Sequence, residues 1–82
     1  MGASKVETLK AFGYLVRKKR HEAGISQEEL GYRSGLDRTY VSGLERGIRN
    51  PSLTALVDLA HGFGTSISDL TFHLESEAAH AN

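Results

Sequence analysis

Between Ser26 and Asn50 the chain reads SQEELGYRSGLDRTYVSGLERGIRN, and its start and stop signals leave room for two short helices and nothing longer. Ser26 followed by Glu29 has the form of a capping box, in which hydroxyl and carboxylate each satisfy a backbone N–H, so a helix is expected to start at Gln27. It should end near Ser34-Gly35. Asp37 is then a good N-cap for the next helix, with Val41 and Leu44 facing inward and Gly47 stopping it. A helix of about nine residues is too short to be stable alone, so packing from the flanking chain must hold it.

The flanks supply that packing. Leu9, Phe12, Val16 and Ala23 recur at helical spacing before Gly24, which predicts a first helix over about residues 7–23. Asn50-Pro51-Ser52 turns into a fourth helix whose expected buried stripe is Leu53, Leu56, Val57 and Ala60, ended by Gly62 or Gly64. Ser66 or Ser68 can cap a fifth helix carrying Leu70, Phe72 and Leu74, followed by a tail expected to fray over 76–82. No strand-like alternation persists. The expected fold class is therefore all-α: a compact bundle of five helices in a single domain over 1–82, with a core over about 7–75.

Composition sets the limits. The chain has 82 residues and no cysteine, so its core is small and no disulfide can staple it. No apolar run has the length of a membrane span or the form of a signal peptide, so it reads as soluble and cytoplasmic, with no membrane partner. Formal net charge is zero, but it is unevenly spread. Residues 1–21 carry a balance of +5 from Lys5, Lys10, Arg17, Lys18, Lys19 and Arg20 against Glu7, whereas residues 51–82 carry −4 and no lysine or arginine. The basic end is the one that could face a polyanion.

These residues resemble the lambda-repressor-like regulators of Xre and Cro type. The resemblance covers roughly residues 11–72 and rests on Phe12-Gly13, Arg20, the Gly24 to Leu30 run, Gly35, Val41, Leu44, Glu45, Gly47, and Asn50-Pro51 leading into Leu53. Within that family the segment Gly35 to Arg46 is most similar to the small controller proteins of restriction–modification systems. Lys19 departs from the pattern, standing where an apolar residue is common, although its stem can cover apolar surface. The resemblance implies a lambda-repressor-like DNA-binding domain, with its helix-turn-helix at helices 2 and 3.

In such a unit the N-terminal turn of the second helix enters the major groove of double-stranded DNA. Arg38 is the leading base reader, because its guanidinium can bond O6 and N7 of guanine together. Thr39 offers a hydroxyl and a methyl, and Ser42 lies one turn further along. Tyr40 either joins that contact surface, as in the controller look-alikes, or closes the helix pair as a half-buried aromatic. For phosphate, the resemblance points to Gln27 at the start of the second helix, while Arg46, Arg49 and Asn50 follow the reading helix and Arg17 and Lys18 project from the first. By the same resemblance Arg20 and Glu45 form a structural ion pair between the first helix and the reading helix.

A single short helix gives too little contact for tight binding, so a homodimer on a pseudo-palindromic operator is expected. Leu70, Phe72 and Leu74, helped by Phe63 and Ile67, are the candidate dimer interface; Leu70 and Leu74 could instead complete the monomer core. Binding over a promoter would repress, and binding just upstream would recruit RNA polymerase. Autoregulation of a restriction–modification operon is the most specific expectation; a generic Xre-type repressor of a phage, plasmid or antitoxin operon and a protein-interaction module are the alternatives. An enzyme is not expected: His21, His61, His73 and His80 share no metal-ligand spacing, no nucleophile motif surrounds a serine, and the glycines fall at helix ends rather than in a phosphate loop. No cofactor, metal or small-molecule ligand is expected.

Overall fold

The computed structural model describes residues 3–80, and among them all regular structure is helical. Six helices follow in order: α1 Lys5–Ala23, α2 Gln27–Ser34, α3 Arg38–Glu45, α4 Leu53–Gly62, α5 Ile67–Thr71 and α6 Leu74–Ala79. None is long and apolar enough to cross a membrane.

Helix starts follow serine caps. Ser4 and Glu7 form a reciprocal capping box, with Glu7 N–H donating to Ser4 Oγ at 3.1 Å and Ser4 N–H donating to Glu7 Oε1 at 2.8 Å, so α1 begins two residues earlier than its apolar spacing suggests. The box expected at Ser26 is only half made. Ser26 Oγ accepts from Glu29 N–H at 3.0 Å, but the Glu29 carboxylate turns instead to Arg33 Nε at 2.9 Å. Asp37 stands at the N-cap of α3 without a side-chain hydrogen bond, and only its carbonyl holds the first turn, accepting from Tyr40 and Val41. Ser52 caps α4 and Ser66, rather than Ser68, caps α5.

The core gathers Phe12 and Val16 of α1, Leu30 of α2, Val41 and Leu44 of α3, Leu59 and Ala60 of α4, and Leu70 of α5. Helix α1 is the spine, packing against α3, α5 and α6, while α2 bridges α3 and α4. Gly13, inside α1 rather than at a helix end, lets that spine touch α3: a Cβ there would lie 2.5 Å from the Leu44 carbonyl oxygen and 2.6 Å from that of Glu45. Ala23 is exposed, and the inward face of α1 ends at Arg20 instead.

Two expectations need correcting. Of the stripe expected on α4, Ala60 is buried and Leu56 packs against the core, but Leu53 and Val57 face solvent, 72% and 49% exposed; Ala55, Leu59 and Gly62 complete the buried face, Gly62 flush against Ser34 of α2. The expected fifth helix is two, broken at Phe72-His73, and the segment 76–79 does not fray: it lies in α6, where Ala78 is buried and the helix packs on α1. The last two residues of the expected tail, 81 and 82, lie outside the described residues.

Candidate nucleic-acid interface

The turn between α2 and α3 sets the presentation of the reading helix. Gly35 adopts φ +70°, a left-handed conformation that costs glycine nothing, and Leu36 N–H donates back to the Gly31 carbonyl at 2.9 Å. The chain leaves this turn directly into α3, so Arg38 and Thr39 occupy its first turn and both are exposed. Ser42, one turn on, is half-buried. Tyr40 is half-buried too, with part of its ring packed against the core.

At its other end α3 stops in a Schellman turn. Gly47, at φ +76°, donates to the Leu44 carbonyl at 3.1 Å, and Ile48 donates to that of Gly43 at 3.0 Å. The reversal carries Arg49 back along α3, where its guanidinium carbon lies 5.6 Å from the centroid of the Tyr40 ring. Arg46, Arg49 and Asn50 are exposed beyond the helix end, and Arg17 and Lys18 are exposed on α1. Lys19 is half-buried and lines a shallow cavity together with Leu15 and Leu70.

A buried carboxylate ties this surface together. Glu45, the last residue of α3, has a side chain only 2% exposed and accepts from Arg20 Nε at 2.7 Å, Arg20 Nη2 at 3.0 Å and Gln27 Nε2 at 3.1 Å. Arg17 Nε stands 3.8 Å away at the rim. Arg20 also donates from Nη1 to the Ile25 carbonyl, so one guanidinium joins α1, the α1–α2 turn and α3. Burial alone would raise the Glu45 carboxyl, but the hydrogen bonds from Arg20 and Gln27 and the charges of Arg20 and Arg17 outweigh it and hold the group below the usual carboxylate range. The Arg20 guanidinium is correspondingly raised, chiefly by its hydrogen bond to Glu45. One amide N–H of Gln27 is thus committed to Glu45, leaving its carbonyl oxygen and second N–H for other partners.

The structure separates the residues expected to form a dimer interface. Leu70 is 3% exposed and belongs to the core, because α5 packs it against α1 and α4; it is removed from the candidate seam. Phe63, Ile67 and Leu74 are half-buried and also lean on the core. Phe72 stands out at 75% exposure, with its ring edge-to-face on His73. Leu53 and Val57, four residues apart on one face of α4, are exposed apolar side chains outside the expected seam, as are Val6 and Ile48. On α4 the signal available was Leu59, whose inclusion in the buried stripe rotates the helix.

Comparison with known proteins is consistent across sequence and structure. A helix-turn-helix family model matches residues 16–70. The control protein C.MunI of Mycoplasma is 40% identical over 67 residues, spanning 80% of this chain and 90% of that protein. The crystal structure of the restriction–modification controller protein C.AhdI from Aeromonas hydrophila superposes with a TM-score of 0.74 at 45% identity, covering 76% of this chain and 94% of that one. A chain from the structure of the controller protein C.Esp1396I tetramer in complex with its natural 35 base-pair operator superposes with a TM-score of 0.79 at 36% identity, covering 88% of this chain and 95% of that one.

Proposed function

This chain belongs to the Xre-like helix-turn-helix family of DNA-binding transcriptional regulators, and we propose that it works as a homodimeric, autoregulating controller of a restriction–modification operon. The observation that carries this reading is the exposure of Arg38 and Thr39 on the first turn of α3. The Arg20–Glu45 pair fixes that helix against the basic α1. Arg38 reads guanine through a bidentate contact, Thr39 reads the neighbouring base, and Ser42 and the edge of Tyr40 add weaker contacts.

Phosphates fix the register before bases are read. Arg46, Arg49 and Asn50 grip the backbone beside the reading helix, Gln27 and the first turn of α2 hold another phosphate, and Arg17 and Lys18 extend the basic rim. The exposed pair Leu53 and Val57 on α4, with Phe72, supplies the apolar seam between copies in place of Leu70. Pairing two copies places two reading helices in successive major grooves, with half-sites about 34 Å apart. The residues 51–82 that carry this seam hold acidic side chains and no lysine or arginine, so negative charge gathers away from the phosphates. The chain is a single domain acting in the cytoplasm without cofactor or catalysis, and its concentration and dimerisation set promoter occupancy.

The test is binding to the chain's own upstream DNA at two salt concentrations. Sequence-specific retention that weakens with salt is expected; equal retention of scrambled duplex, or no binding to any duplex, overturns the reading.

A further inference from the structure

Gly43 sits in the middle of α3, where glycine lowers helix stability relative to alanine. Its place is explained by one side chain. A Cβ at Gly43 would lie 2.5 Å from Arg49 Cγ, 3.3 Å from Nε and 3.5 Å from Cδ, the three nearest atoms all belonging to Arg49. The space a side chain would fill on α3 is therefore occupied by the stem of Arg49, brought there by the Gly47 reversal. One turn back on the same helix, the Arg49 guanidinium lies against the Tyr40 ring, within the range of a cation–π contact.

We propose that Arg49 is a specificity-determining positioning residue, seated in the notch left by Gly43, that holds the Tyr40 ring at the reading edge of α3. This rests on the DNA-reading function above and extends it, since Arg49 then acts on base readout through Tyr40 as well as on phosphate by its charge. The ring is held from the protein side by the core and by the Arg49 guanidinium. Arg49 is exposed, and among the described residues no hydrogen bond or ion pair engages its side chain or that of Tyr40. A fixed tyrosine rejects a wrong base, whereas a mobile one adapts to it, so loss of the contact relaxes selectivity more than it weakens attachment.

The test uses the full chain with its upstream operator duplex and a scrambled duplex of equal length, read as the ratio of the two dissociation constants. Gly43→Ala keeps every charge, so its affinity for scrambled DNA and its salt dependence should match wild type, while the ratio falls about two- to fivefold, the strength of an exposed cation–π contact. Arg49→Lys, which keeps the charge but loses the planar stacking group, should lower the ratio similarly. In the free protein, NMR should find the Arg49 side-chain methylene protons shifted upfield by the Tyr40 ring in wild type and returned toward ordinary values in Gly43→Ala. Wild-type ratios in the variants overturn the specificity role, and unshifted Arg49 protons in wild type overturn the contact itself. A wild type that binds both duplexes equally overturns the DNA-reading function and the inference with it. Should Gly43→Ala fail to fold, Arg49→Lys and the wild-type spectrum decide.

Discussion

Replacing Glu45 by alanine should destabilise the fold more than any change at the exposed reading surface. The substitution removes the acceptor for two hydrogen bonds from Arg20, at 2.7 and 3.0 Å, and one from Gln27 at 3.1 Å. It strands a guanidinium whose side chain is 11% exposed, with the Ile25 carbonyl as its remaining backbone acceptor. Two charge-assisted bonds at about 1.5–3 kcal/mol each agree with the roughly 3–5 kcal/mol lost when one partner of a buried pair is removed. Through its 11% exposed surface the Arg20 side chain can recover some hydration, so the lower end applies, about 3 kcal/mol. For a domain of this size that lowers Tm by about 12–24 °C, read by circular dichroism at neutral pH. The double variant Arg20→Met with Glu45→Leu should recover most of the loss, because neither charge is then left buried. A fall of less than about 5 °C in Glu45→Ala would refute the structural role of the pair.

The same carboxyl gives a pH dependence of definite sign. Its folded pKa is depressed, so its contribution is complete above the unfolded carboxylate range and is lost as pH falls through the lower folded value. Thermal melts from neutral pH into the acid range should therefore fall more steeply for wild type than for the Arg20→Met, Glu45→Leu double variant, and parallel curves would remove Glu45 from acid sensitivity. Arg38→Ala should lose about 1–3 kcal/mol of discrimination at one guanine while binding scrambled DNA nearly as before, measured by fluorescence anisotropy. A change in salt slope with discrimination intact would make Arg38 a phosphate contact instead. Leu53→Asp with Val57→Asp should leave the monomer folded, since both side chains are exposed, yet shift the light-scattering mass from dimer to monomer.

What could be read from the sequence was local. Serine caps and turn glycines act within a few residues of their own position, so the edges of α2, the Gly35 turn and the stop at Gly47 follow from residue type and spacing. The exposed Arg38 and Thr39 follow from those edges. The Arg20–Glu45 pair spans 25 residues and was accessible only through family resemblance, because nothing near either residue specifies the other. The α4 stripe is half legible: Leu56 and Ala60 do pack on the core, but Leu53 and Val57 share an equally good helical spacing and face solvent, a choice that depends on Gly62 meeting Ser34 of α2. Leu70 fits a core or a seam equally by spacing, and only the packing of α5 on α1 and α4 places it in the core. The notch at Gly43 lay outside sequence reach, since it requires the chain reversal that brings Arg49 back onto α3.

Paired copies reading DNA through the first turn of α3 should leave a two-fold signature in the sequences they select. Selection of binding sites from a randomised duplex pool, followed by sequencing, tests it most directly. The expected product is an enriched inverted repeat whose half-site centres lie about 34 Å apart along the duplex, or a multiple of that spacing. Recovery of no enriched sequence, or of a motif without two-fold symmetry, would contradict it.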